Sequence, residues 1–151
     1  MQNNLMQWYD HAKRDLPWRH TSDPYAIWIS EIMLQQTRAE TVVGYWTRFL
    51  AQFPTVQALA AAPQQDVLKA WEGLGYYSRA RNLQKCAQVI AEEYNGIFPA
   101  DVEALRKLPG IGDYTAGAVG SIAFGIRTPA VDGHVGRVVS RLRGIRADVG
   151  I

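Results

Sequence analysis

The chain has 151 residues, the size of one ordinary domain, and nearly half of it is apolar, so it can bury a core and is not a disordered segment. Sixteen Lys and Arg against fourteen Asp and Glu leave a net charge of +2, too small an excess for bulk charge to mark a nucleic-acid binder. The single cysteine, Cys86, excludes an intramolecular disulfide framework and an all-cysteine metal site within this chain, and its neighbours Leu83, Ala87 and Ile90 place it in the core.

Met1 to Leu16 carries Asp10, Lys13, Arg14 and Asp15 and no long apolar run, so it does not read as a signal peptide, and no stretch approaches a membrane span. A reducing, soluble, intracellular setting is expected. Asp23-Pro24 has the form of an N-cap followed by proline at the first helical position, opening a helix through Leu34. Thr37 to Glu40 has capping-box spacing ahead of the apolar run Val42 to Phe49. Pro54 ends that helix, and Thr55 caps a short one that stops near Pro63. Asp66 to Glu72 gives one or two turns closed at Gly73, and Tyr77 to Tyr94 a longer amphipathic helix closed by Asn95-Gly96. Asp101 to Lys107 is a short helix, Leu108 to Gly112 a tight hairpin, and Asp113 begins the next helix. Gly133 to Arg143 is the last. With no period-two run anywhere, the expected fold is an all-α, compact array of helices in a single domain. Arg127, Arg137, Arg141, Arg143 and Arg146 face only Asp132 and Asp148 toward the C-terminal end, a local basic face or a solvated helix face.

The hairpin Leu108-Pro-Gly-Ile-Gly112 lies between two helices. Its glycines, Gly110 and Gly112, permit backbone conformations closed to other residues and leave amides uncovered at the start of the second helix. Uncovered amides at a helix N-terminus form an anion site that suits a DNA phosphate; a plain helical corner is the structural alternative.

Leu108 to Ala116 resembles the helix-hairpin-helix of the DNA glycosylase superfamily, in which a Gly/Pro-rich loop is followed by an essential aspartate; Pro129-Ala-Val-Asp132 stands at the expected distance. Leu16-Pro-Trp-Arg19, Ser30-Glu-Ile-Met-Leu-Gln-Gln-Thr37, Gly73-Leu-Gly-Tyr-Tyr-Ser-Arg-Ala-Arg-Asn82 and Val131-Asp-Gly133 are similar to the MutY branch, the adenine DNA glycosylases. The resemblance covers essentially the whole chain. It implies an endonuclease III-like fold, with 22–127 as a six-helix-like core and 1–21 and 128–151 as part of a second lobe.

Glu31 sits mid-helix beside Ile27, Trp28 and Leu34, where burial would disfavour its charged form; an exposed Glu next to apolar residues is the alternative. Asp132 precedes a helix and reads first as an N-cap, a role compatible with remaining ionised. The resemblance implies the chemistry of the pair. Glu31 protonates adenine at N7, and Asp132 stabilises or traps the oxocarbenium-like sugar, parallel to the two-carboxylate logic of glycoside hydrolysis. The substrate implied is double-stranded DNA carrying adenine opposite 8-oxoguanine or guanine, with the base flipped into a pocket. The chain is expected to act as a monomer in a cytoplasmic, nucleoid-associated setting.

Bifunctional relatives carry a lysine in the second helix of the hairpin motif, whose amine forms a Schiff base and leads to strand cleavage. Tyr114 stands there instead, and Lys107 lies before the hairpin, so a monofunctional glycosylase is expected. By resemblance, Gln36 enters the stack near the flipped adenine and Tyr76 wedges beside the oxidised guanine. Trp18, Leu34 and Arg19 line or approach the adenine pocket. Arg79 and Arg81 are phosphate candidates or solvated arginines.

Two departures from the family stand out. His134 occupies a place where the family usually has Asn, although the endonuclease III branch has His there. Full-length relatives also continue into four cysteines that bind a [4Fe–4S] cluster, and then into a domain that recognises 8-oxoguanine. Those cysteines are absent here, so Leu5, Trp8, Tyr9 and the last helix are expected to expose an apolar patch. The competing readings are a thymine or other mismatch glycosylase of the same superfamily, and a non-catalytic helix-hairpin-helix DNA-binding module.

Overall fold

The structure, a computed structural model, describes residues 2–145. Nine α-helices and one 3-10 turn follow in order, with no strand among the described residues: α1 Gln2–Ala12, the turn Pro17–Arg19, α2 Pro24–Leu34, α3 Ala39–Gln52, α4 Val56–Ala61, α5 Gln64–Ala70, α6 Ser78–Glu93, α7 Val102–Arg106, α8 Asp113–Phe124 and α9 Gly133–Arg143. The expected all-α architecture is what forms.

Helix α2 is the axis of the molecule. The Asp23 carboxylate accepts a hydrogen bond from the Tyr25 amide at 3.1 Å, and Pro24 supplies the preset φ of the first turn. Every residue from Tyr25 to Met33 is buried, as in a helix surrounded by packing on all sides. α3, α6 and α8 pack around it. Trp28 meets Phe98 edge-on at 5.4 Å between ring centres, and Phe49 meets Trp71 at 6.1 Å. Burying side chains such as Phe49, Leu59 and Ile90, each 1% exposed or less, contributes about 1.5–3 kcal/mol apiece. Cys86 belongs to this core, and burial pushes its thiol up to about 12.

α8 carries small residues where another segment crosses it. A Cβ on Gly117 would lie 2.1 Å from the Pro129 carbonyl oxygen, and one on Gly120 would lie 2.9 Å from Val102. The missing side chain at Gly117 lets residues 129–130 lie directly on the helix, and this crossing delivers Asp132 toward α2.

Several sequence-based expectations shift. Thr37 is not the cap of α3: the N-cap is Arg38, without a side-chain bond, and the Thr37 amide closes a turn onto the Leu34 carbonyl. The left-handed Gln36 places Thr37 inside that turn, and Glu40 pairs with Arg14 instead of reaching back. α5 starts at Gln64, ahead of Asp66, because Pro63 presets the entry. The segment 22–127 holds seven helices, α2 to α8, rather than six. Thr55 and Asp101 do cap α4 and α7, and Asn95-Gly96 closes α6 in left-handed conformations.

Helix α9 buries no side chain; Leu142 on it and Leu5 and Trp8 on α1 are each 60% or more exposed, the anticipated apolar patch. Arg127, Arg137, Arg141 and Arg143 are exposed as well, whereas Arg146 and Asp148 lie outside the described residues.

Candidate active site

Helix periodicity puts Ile27, Ser30, Glu31 and Leu34 on one face of α2, and that face forms a wall of an open cleft of about 1070 Å³. Trp28 turns to the other side, into the core, so its expected place beside Glu31 is taken by Ser30, whose hydroxyl donates to the Ile27 carbonyl at 2.7 Å. Tyr114, on the first turn of α8, and Asp132, at the start of α9, come to the same cleft. Three residues from three elements, distant in sequence, thus share one space.

Glu31 is 9% exposed. Burial raises its pKa, the nearby Tyr114 hydroxyl lowers it, and the Asp132 charge raises it again; the net direction is upward. The same surroundings act on Tyr114, where burial first and then the facing Glu31 push the phenol up to about 12. Asp132 does double duty: its carboxylate accepts from the Val135 amide at 2.8 Å and caps α9, leaving it half-buried beside the cleft. A cleft with one carboxyl biased toward its protonated form beside a second, helix-capping carboxylate is equipped for general acid catalysis on a substrate that becomes cationic.

Trp18, Leu34 and His134 line the same cleft, as do Arg19 and Gln36. His134 accepts at Nδ1 from Arg137 at 2.8 Å. Arg19 is partly occupied elsewhere, donating to the Arg14 carbonyl at 2.8 Å and lying over the Tyr9 ring. Gln35 is a cleft residue that sequence reasoning passed over; its amide donates to the Thr115 hydroxyl at 3.5 Å, tying the end of α2 to α8. The doubled Gln35-Gln36 just after a buried helix was the available signal.

The remaining expected residues lie outside this cleft. In the hairpin, Gly110 has φ +75°, and a Cβ there would come within 2.8 Å of Asn82 Cβ. Gly112, the N-cap of α8, is extended with open space around it, so nothing inside the protein requires a glycine there. Tyr76 is 65% exposed, and Arg81 is exposed. Arg79 departs from the expected phosphate contact or solvated arginine: both terminal nitrogens of its guanidinium are bonded to backbone carbonyls within the protein.

Comparison with known proteins falls in line with this geometry. Residues 29–149 match the HhH-GPD superfamily of base excision DNA repair proteins. The adenine DNA glycosylase of Homo sapiens is 49% identical over 154 residues; the match spans 96% of this chain and 28% of the human protein. A thermostable thymine-DNA glycosylase structure is 33% identical with a TM-score of 0.87, over 91% of this chain and 64% of that one. A non-covalent endonuclease III–DNA complex is 30% identical with a TM-score of 0.83, over 97% of this chain and 69% of that one. This chain thus spans well under half the length of the human relative it matches.

Proposed function

Because the chain belongs to the HhH-GPD superfamily of base excision DNA repair proteins, we propose that its cleft removes adenine from DNA by hydrolysing the N-glycosidic bond, acting on adenine opposite 8-oxoguanine or guanine. The observation that carries this reading is the buried Glu31, biased toward its protonated form, in one cleft with Tyr114 and Asp132. Glu31 delivers its proton to N7 of the extruded adenine. The bond between the base and the sugar C1′ breaks, and its electron pair leaves with the base. The oxocarbenium-like sugar faces the Asp132 carboxylate, which stabilises or traps it. Water then adds at C1′, its surplus proton returns to Glu31, and an abasic site remains. Tyr114 orients the Glu31 carboxyl and occupies the place where an amine would be needed for strand cleavage, so the enzyme is monofunctional.

Duplex DNA is the partner. A solved relative is an endonuclease III–DNA complex, and this chain's glycine hairpin presents the N-terminus of α8, where Gly112 has open space for a phosphate. Gln36 and Tyr76 probe the stack around the adenine and its opposing base, Arg81 meets the backbone, and Trp18, Leu34 and His134 shape the base pocket. The enzyme works as a monomer in an intracellular, DNA-containing compartment. No helix among the described residues is long and apolar enough to cross a membrane. A [4Fe–4S] cluster needs four cysteine ligands, and the residues of this chain do not fit one: its single cysteine is the buried Cys86. No step is routed through such a group.

The likeness to a thymine-DNA glycosylase structure favours a second reading, removal of thymine opposite guanine. The higher identity to an adenine glycosylase weighs against it, as does the upward-shifted pKa of the buried Glu31, since a proton donor suits a purine leaving group. Single-turnover assays on A·8-oxoguanine, A·C and G·T duplexes, developed with and without alkali, separate the two. Adenine release that shows a strand break only after alkali, and is lost in Glu31→Gln, is the expected result. Thymine release would establish the second reading; binding with no release from any duplex would leave a DNA-binding module.

A further inference from the structure

Arg79, on the first turn of α6, reaches back to two turns of the chain at once. One terminal nitrogen donates to the carbonyls of Ile32 at 2.8 Å, Met33 at 3.3 Å and Gln35. The other donates to Leu74 at 3.1 Å and Gly75 at 3.3 Å. The first set comprises the C-terminal carbonyls of α2, where a cation meets the negative end of the helix dipole. The second belongs to the turn after α5, where the Trp71 indole also donates to Gly75 at 3.1 Å. The guanidinium lies 5.3 Å from the Trp71 ring centre and 5.6 Å from that of Tyr76. No carboxylate among the described residues pairs with it, so its charge is met by backbone carbonyl dipoles and the two aromatic faces.

Each arm of this fork ends one residue before a strained one. Gln36 follows Gln35 with φ +61°, and Tyr76 follows Gly75 with φ +47°. Only one other non-glycine residue among those described has positive φ, and that is Asn95, an ordinary helix terminator. A left-handed Gln or Tyr is unfavourable by itself and persists only where its surroundings over-determine it. Both exposed side chains are therefore held by backbone that a single half-buried arginine pins at two points. Lysine has neither the planar fork nor enough fixed donors to do the same.

We propose that Arg79 is a positioning residue that locks the left-handed turns at Gln36 and Tyr76 into one rigid unit, so that the two side chains enter the duplex together. The inference rests on the reading of Gln36 and Tyr76 as DNA contacts. Its structural half is tested without DNA. Hydrogen exchange of the free protein is compared for wild type, Arg79→Lys and Arg79→Met. The amides of Thr37 and Leu74, which close the two turns, are expected to exchange faster together, by at least about tenfold, the scale of one charge-assisted hydrogen bond. Tyr94 and Ala116, whose amides bond to Ile90 and Gly112 and so belong to neither turn, are expected to stay unchanged. A rise at one turn only, at neither, or equally at Ala116 even in Arg79→Lys, refutes the coupling.

The functional half is read with 2-aminopurine replacing the target adenine opposite 8-oxoguanine. In Arg79→Lys, fluorescence on base extrusion is expected to develop about ten- to a hundredfold more slowly, the range expected for a misplaced probe. Affinity for undamaged duplex, and its salt slope, stay as in wild type. A salt slope lowered by about one charge would mean that Arg79 itself holds a phosphate, overturning the proposal. Wild type giving no fluorescence change would sink the adenine-excision reading together with the insertion step, while the exchange data still decide whether the clamp exists.

Discussion

Replacing Gly117 by alanine adds one methyl group where the structure has no room for it. The new Cβ would stand 2.1 Å from the Pro129 carbonyl oxygen and 3.0 Å from its carbon, against ordinary contact at 3.4 Å or more. Both obstacles are backbone, so residues 129–130 must retreat by about 1 Å. Overpacking of this kind costs about 1–3 kcal/mol, which for a domain of this size lowers Tm by roughly 2–12 °C. The effect on chemistry is expected to be larger than the effect on stability. Asp132 lies three residues beyond Pro129, and a displacement near 1 Å at a reacting group can cost about a hundredfold in rate. Thermal unfolding and single-turnover adenine excision on an A·8-oxoguanine duplex measure the two effects. Gly44→Ala is the matched control: its Cβ meets only the mobile end of Arg48 at 3.2 Å, and alanine is the better helix former. Excision by Gly117→Ala within about twofold of wild type would refute the argument that this crossing sets the position of Asp132.

Glu31 must be protonated to donate, and its pKa is raised, so the single-turnover rate is expected to fall as pH rises through that raised value; a rate that climbs with pH over the same limb would remove Glu31 as the acid. Tyr114→Phe removes the hydroxyl that lowers the Glu31 pKa, so the limb should move to higher pH, and an unmoved or acid-shifted limb would show that the hydroxyl does not act on Glu31. Gln36→Gly relieves a left-handed φ of +61° and is expected to stabilise the fold by about 1 kcal/mol while slowing excision, a trade read from Tm and rate together. A variant that is less stable than wild type would contradict the assignment of strain.

What local chemistry dictates, the sequence displayed. The caps at Asp23, Thr55, Asp101 and Asp132 each need only an oxygen side chain and an amide two or three residues on, and all four form. Thr37 has the same credentials and fails, because the left-handed Gln36 preceding it depends on Arg79, more than forty residues away. Gly117 reads in sequence as a weak point in a helix; its purpose emerges only when Pro129 is laid across it. The grouping of Glu31, Tyr114 and Asp132 in one cleft was anticipated through family likeness, not through spacing. The role of Arg79 was missed because a long side chain bonding to carbonyls leaves no residue-type signature at its targets.

The glycine crossing on α8 also bears on when in folding the chain becomes reactive. Glu31 and Asp132 are separated by about a hundred residues, and they meet only once α2, α8 and the segment over Gly117 are assembled. The hairpin Leu108–Gly112 is built mainly from contacts near in sequence, with α7 packed on α8. A chain that has closed this corner but not the crossing over Gly117 thus lacks a paired acid and anion. For a protein whose proposed reaction leaves a gap in the coding information of DNA, tying chemistry to a long-range contact confines base loss to folded molecules.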